Sequence, residues 1–245
     1  MTKIDIFSGF LGAGKTTLIK KLIAEAYSGE KLVLIENEFG DIGIDGGFLQ
    51  DAGVNITEMN SGCICCSLVG DFGQALQQVI TDYAPDRILI EPSGVGKLSD
   101  VIRAVQNIDS KEIVLNTAAA VADVNKCKMF MKNFGEFFNN QIEHAGTIIL
   151  SHTTGVSDEK LRACVEMIRT QNPDAEILTT PWEQLTGAQI LEVIEKKNTL
   201  EDELKHLTEE ARICPECGHH HDHDHDCGHH HHDHDHNCGH HGCNH

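Results

Sequence analysis

The segment from Gly9 to Thr16 reads GFLGAGKT and fits G-x-x-x-x-G-K-[ST], a spacing whose chemistry is phosphate binding. Glycines at 9, 12 and 14 let successive backbone N–H groups curl around an anion, with Ala13 between them. A helix starting at Lys15 adds the positive field of its N-terminus. In this reading Lys15 reaches the β- and γ-phosphates, the Thr16 hydroxyl binds Mg2+, and Thr17 completes the binding turn. A second element follows in RILIEPSG, where an apolar run ends on Glu91. An acid at a strand tip beside a phosphate loop can hold Mg2+ through water, and Gly94 can offer its N–H to a γ-phosphate. Lys15, Thr16 and Glu91 are therefore the candidate catalytic residues.

A different chemistry stands at Cys63, Cys65 and Cys66, three thiols within four residues. In an extended segment Cys63 and Cys65 point the same way, and a turn brings Cys66 to join them. Three thiolates suit Zn2+ or another thiophilic ion and leave a fourth position open, as transfer requires. Glu36, Glu38 and Asp41 are candidate extra ligands, since they lie between the second apolar run and Glu91. Segments in that interval commonly respond to a γ-phosphate. Cys127 and Cys164 fall in helical patterns and are expected in the core.

The third concentration of ligands is the stretch 214–245, which holds fourteen of the seventeen histidines. It has no Val, Ile, Leu, Met, Phe, Trp or Tyr with which to build a core. Cys-Gly-His-His recurs at Cys217, Cys227 and Cys238. Cys214 and Cys217 resemble half of a zinc ribbon whose second C-x-x-C is absent; the ligand density predicts a multi-ion reservoir for Zn2+, Ni2+ or Co2+, with one defined tetrahedral site as the alternative. The stretch carries six acids and no Lys or Arg, so residues 1–213 keep −13 of the chain's −19. That balance argues against nucleic acid and favours cations.

These groups need a scaffold. Apolar runs at 3–8, 31–37, 54–59, 87–92, 112–123, 147–151 and 175–180 alternate with amphipathic stretches at 15–27, 70–82, 97–107, 126–144, 157–171 and 183–196. Such alternation predicts an α/β fold, three layers around a mostly parallel sheet. The organisation expected is a nucleotide-binding domain over 1–197, a charged helical connector over 198–213 and a low-complexity metal-binding tail over 214–245. No apolar run approaches the roughly 18 residues of a membrane span. The N-terminus lacks the apolar region of a signal peptide, which predicts a cytoplasmic location with reduced thiols.

GFLGAGKTT (9–17), ENEFGDIGID (36–45), GCICC (62–66) and IEPSG (90–94), in this order, resemble the CobW-type GTPases, a branch of the P-loop GTPases that includes the nickel-inserting GTPases. The likeness covers about residues 2–195. It implies a GTPase metallochaperone that binds a transition metal at CxCC and delivers it to a client metalloprotein. Mg2+ with GTP would be the working nucleotide, and a homodimer is an assembly open to it. Two departures stand out. Ser151-His152-Thr153-Thr154 replaces the family's N-K-x-D, and a hydroxyl at Thr154 cannot accept both guanine hydrogen bonds as Asp does, so ATP stays open. The chain also passes from the connector into the tail where the family has a further folded domain. The alternative function is a metal buffer with a weakly active or regulatory nucleotide domain.

Overall fold

The computed structural model describes residues 1–36, 55–60, 69–108 and 112–195; for 55–60, 69–72, 74 and 75 the backbone course alone is described. The chain divides into two units, Met1–Leu207 and Thr208–His245, the second lying wholly outside the described residues.

Among the described residues seven strands form one sheet: β1 (Thr2–Gly9), β2 (Lys31–Glu36), β3 (Asn55–Asn60), β4 (Arg87–Glu91), β5 (Ile113–Asp123), β6 (Thr147–Ser151) and β7 (Glu176–Leu178). Their order is β3-β2-β4-β1-β5-β6-β7, and every pair is parallel. The apolar runs anticipate these strands to within a residue or two, because parallel strands covered on both faces need apolar side chains throughout. The order reverses at β1, and such a switch point opens a crevice at the carboxyl ends of the strands.

The helices among the described residues are α1 (Lys15–Glu25), α2 (Val69–Tyr83), α3 (Leu98–Gln106), α4 (Cys127–Asn133), α5 (Gly135–Glu143), α6 (Asp158–Gln171) and α7 (Gly187–Ile194). Two apolar clusters show the layers. On one face Leu18, Ile19, Leu22 and Ile23 of α1 pack with Ile190 and Ile194 of α7 against Phe7, Leu34 and Leu89. On the other, α2 to α6 bury Leu76, Ile102, Phe130, Phe138 and Ile168 against Ile4, Ile6, Ile88 and Ile148. Cys127 and Cys164 lie in this second cluster, as their helical pattern indicates. Their mutual hydrogen bond, with burial, pushes the Cys127 thiol up.

One helix is not continuous. The stretch 126–144 reads as a single helix, yet the chain breaks at Phe134, whose backbone (φ −133°, ψ 31°) ends α4 and opens α5. Phe134 turns so that its ring packs 5.0 Å from that of Phe10 in the phosphate loop and 6.0 Å from that of Phe130. Aromatic pairs at such spacing contribute about 0.5–1.5 kcal/mol each beyond burial. The stretch 183–196 differs similarly: a short 3-10 turn at Trp182–Gln184 precedes α7, which Thr186 opens with a capping box to Gln189.

At the amino ends of the strands the sheet buries an ionic network. Arg87 is 1% exposed and pairs with Asp5, while its Nε donates to Glu30 at 2.6 Å and its Nη1 to Glu195 at 3.1 Å. Its guanidinium carbon stands 4.5 Å from the Tyr27 ring centroid. Asp5 also accepts from Asn116 Nδ2 at 2.7 Å and from the Tyr27 hydroxyl at 3.3 Å. Asn116 occupies the register shift between β1 and β5, where one extra residue re-aims its side chain. Burial raises the Asp5 carboxyl above its ordinary value even against Arg87. Burial also pushes the Glu195 carboxyl up, but Asn116, Arg87 and Lys3 outweigh it and leave it below its ordinary value.

Candidate nucleotide site

The opposite edge of the sheet carries the candidate site. β1 runs into the phosphate loop at Gly9, where an added Cβ would meet the Val121 carbonyl oxygen at 2.4 Å. Gly12 and Gly14 take φ of +70° and +96°, a left-handed backbone that glycine adopts without strain. Gly14 caps α1 with no side-chain hydrogen bond, so the first helical turn presents its amides to the loop. Ala13 closes the turn by donating to the Phe10 carbonyl at 3.1 Å and is buried, whereas Thr17 is exposed on α1.

Three of the expected residues come together. Lys15 and Glu91 are 6% and 2% exposed, with Lys15 Nζ 3.8 Å from Glu91 Oε1. The Thr16 hydroxyl lies 3.1 and 3.2 Å from the two carboxylate oxygens of Glu91. A hydroxyl and a carboxylate converging in this way form a hard oxygen set that suits Mg2+. Glu36, 8% exposed, is the neighbour of Glu91 across the β2–β4 ladder and of Asn60 across β2–β3. Gly94 belongs to the same cradle: a Cβ there would stand 2.9 Å from the Leu11 backbone nitrogen, so only glycine lets the two loops touch.

The candidate metal ligands Asp41, Cys63, Cys65, Cys66, Cys214 and Cys217, with Glu38, lie outside the described residues. Among the described residues no group of three or more His, Cys, Asp and Glu side chains stands ready to hold a metal ion. No described helix is long and apolar enough to cross a membrane.

Ser151-His152-Thr153-Thr154 follows β6 beside the phosphate loop. Ser151 is buried, and its hydroxyl has no partner among the described residues. His152 adopts φ +55° and brings its Nε2 to 3.4 Å from the Gly12 carbonyl oxygen. A further group there was not singled out from the sequence. Asp123, buried at the tip of β5, accepts from the Asn125 amide at 2.8 Å and pairs with Lys126 at 3.3 Å. The Lys126 ammonium lies 3.8 Å from where a Gly12 Cβ would sit, which places a second lysine at the rim of the loop. The available signal was an acid ending an apolar strand, the same pattern that marks Glu91.

A parallel sheet with a phosphate loop at its switch point, a Lys-Thr pair on the first helix and an acid on the adjacent strand tip defines a P-loop nucleotide-binding domain. Residues 3–179 match the family described as CobW/HypB/UreG, nucleotide-binding domain, and the chain belongs to that family. It is 29% identical over 190 residues to the zinc chaperone YeiR of Escherichia coli, covering 76% of this chain and 57% of that protein. It is 28% identical over 248 residues to the zinc chaperone CobW of a Sinorhizobium species, covering 89% and 69%. Among solved structures it resembles the Zn(II)-bound YjiA GTPase of E. coli with a TM-score of 0.54 and 24% identity, over 73% of this chain and 57% of that one, a likeness of fold. The chain thus spans 57% of the YeiR length and 69% of the CobW length.

Proposed function

We propose that this protein is a nucleotide-hydrolysing metallochaperone, with GTP and Mg2+ working at the phosphate loop and Zn2+ as the cargo of Cys63, Cys65 and Cys66. Residues 1–197 form the nucleotide domain, 198–213 the connector and 214–245 the ion-collecting tail, with Ni2+ and Co2+ as further ions for the tail. The observation that carries this reading is the row Thr16–Glu91–Glu36–Asn60 across the carboxyl ends of β4, β2 and β3. Cys63 follows Asn60 by three residues, and a segment that short spans about 11 Å at most. The row that begins at the phosphate loop therefore ends three residues along the chain from Cys63. The two curated relatives, zinc chaperones both, support the same cargo.

In this mechanism the amides of 12–17 hold the β- and γ-phosphates, and Lys15 offsets their charge. Mg2+, held by Thr16 and by Glu91, would neutralise charge on the phosphate oxygens. Lys15 leaves its contact with Glu91 as the phosphates arrive. Glu91 thereby changes partners, and Glu36 and the chain leading to Cys63 feel the change. Glu36 and Asp41 supply oxygen ligands beside the thiolates, and Cys214 and Cys217 begin the tail's own site. Delivery ends at a client metalloprotein.

The test uses the full chain prepared without an affinity tag. Bound zinc is expected, reduced by Cys63→Ser/Cys65→Ser/Cys66→Ser, together with slow GTP hydrolysis that Lys15→Ala abolishes. Faster turnover of ATP would reassign the base. Metal binding with no hydrolysis of either nucleotide would sink the chaperone cycle and leave a metal buffer.

A further inference from the structure

The loop that follows Glu91 is held from an unexpected side. Gln141 on α5 is 1% exposed, and its Nε2 donates to the carbonyl oxygens of Gly94 at 3.1 Å and Gly96 at 2.8 Å. Two carbonyl partners fix which end of the amide is the donor. The other end, Oε1, is buried with no hydrogen-bond partner among the described residues. The adjoining Asn140 takes the next step along the same segment. Its Nδ2 donates to the Ser99 hydroxyl at 3.0 Å and its Oδ1 accepts from the Ser99 amide at 3.2 Å. Residues 94–99 are thus suspended between α5 on one side and the phosphate loop on the other, where Gly94 touches Leu11.

An amide oxygen buried without a donor is destabilising. Its retention makes sense where a second arrangement satisfies it. We propose that Gln141 is a positioning residue that reports on the γ-phosphate. With no γ-phosphate it clasps the 94–96 segment through two carbonyls. With a γ-phosphate at Gly94 the segment turns and an amide N–H of the loop reaches Oε1. The gain of that bond favours triphosphate over diphosphate and carries nucleotide state into α5. The inference rests on the reading above that Gly94 meets the γ-phosphate.

The experiment measures affinities of the full chain for a non-hydrolysable GTP analogue and for GDP, both with Mg2+, in wild type, Gln141→Met and Gln141→Glu. Thermal stability is recorded alongside. Gln141→Met removes the clasp together with the acceptor, so a lower melting temperature is expected, with analogue affinity falling about tenfold relative to GDP affinity, the equivalent of one hydrogen bond. Gln141→Glu, which lacks the donor of the clasp and keeps the acceptor, is expected to raise the same ratio. An unchanged ratio in either folded variant overturns the inference while leaving the nucleotide site standing. Amide exchange of wild-type residues 93–99 gives a reading that needs no variant. Protection should differ between the analogue and GDP, and identical protection overturns the inference. A wild-type chain that binds neither nucleotide removes the nucleotide reading and this inference with it.

Discussion

The two ends of the sheet both bury charge, and they do so differently. At the amino end Arg87 sits on a strand among Asp5, Glu30 and Glu195, with contacts of 2.6 to 3.2 Å beside its tight pairing with Asp5 and a ring beneath it. Its partners come from β1, the end of α7 and the turn after α1, so the network clamps elements together. At the carboxyl end Lys15 meets Glu91 at 3.8 Å, and Thr16 meets it at 3.1 and 3.2 Å. Two buried acids, Glu36 and Glu91, stand side by side there, next to amides that α1 leaves uncapped by any side chain. Short, many-partnered contacts between strands give rigidity. Longer contacts between a loop and a strand tip can be exchanged for a ligand at small cost.

The difference can be broken by mutation. Arg87→Ala leaves Asp5 charged and buried, and a loss of about 3–5 kcal/mol is expected in denaturant unfolding. Nucleotide affinity in the fraction that stays folded should hold. Lys15→Ala should do the reverse: a fall on the order of 100-fold in GTP affinity, as expected for a charge-assisted phosphate contact, with a smaller change in the unfolding midpoint. If Arg87→Ala abolished nucleotide binding at unchanged stability, the division between the two ends would fail.

Acid sharpens the same contrast through α7. The Glu25 carboxyl is held below its ordinary value by hydrogen bonds from Lys21 and from the Gly187 amide at the start of α7. Glu195, just past the end of α7, is lowered as well. Stability from both is in place above their unfolded values near 4.5 and is lost as pH falls through their lower folded values. The raised Asp5 works the other way, losing stability as pH rises through its folded value. Trp182, the one tryptophan, packs on Gly14 just before α7. Its fluorescence should shift below about pH 4.5 ahead of the loss of helix signal, and Glu25→Gln should flatten that early step. The smallest effect is expected for Thr186→Ala, which removes the α7 cap for about 1 kcal/mol by thermal unfolding.

The same contrast explains what the sequence made legible. The phosphate loop is a local pattern, eight residues whose chemistry and conformation are set together, so its residues and strand–loop–helix context were readable. The strands were readable because burial on both faces demands unbroken apolar runs. The amino-end network was not, since Asp5 and Arg87 are 82 residues apart and Asn116 reaches them through a register shift. The break at Phe134 carried no proline to announce it; it follows from packing on Phe10, a contact across the fold. Lys126 and Gln141 reach the phosphate and Gly94 loops from other elements, so spacing along the chain does not reveal them; Asp123, which pairs with Lys126, is marked only as an acid ending an apolar strand. Motifs that bind through one segment are legible, and side chains that position such a segment from elsewhere are not.

The central claim is that nucleotide state governs the affinity of the cysteine cluster for its ion. The direct measurement is zinc affinity by chelator competition on the full chain, with a non-hydrolysable GTP analogue and with GDP. The Cys63→Ser/Cys65→Ser/Cys66→Ser variant run in parallel subtracts the tail. The account predicts that the subtracted affinity differs by about tenfold or more between the two nucleotides, a coupling within the usual range for linked sites. Equal zinc affinity in both nucleotide states would contradict it.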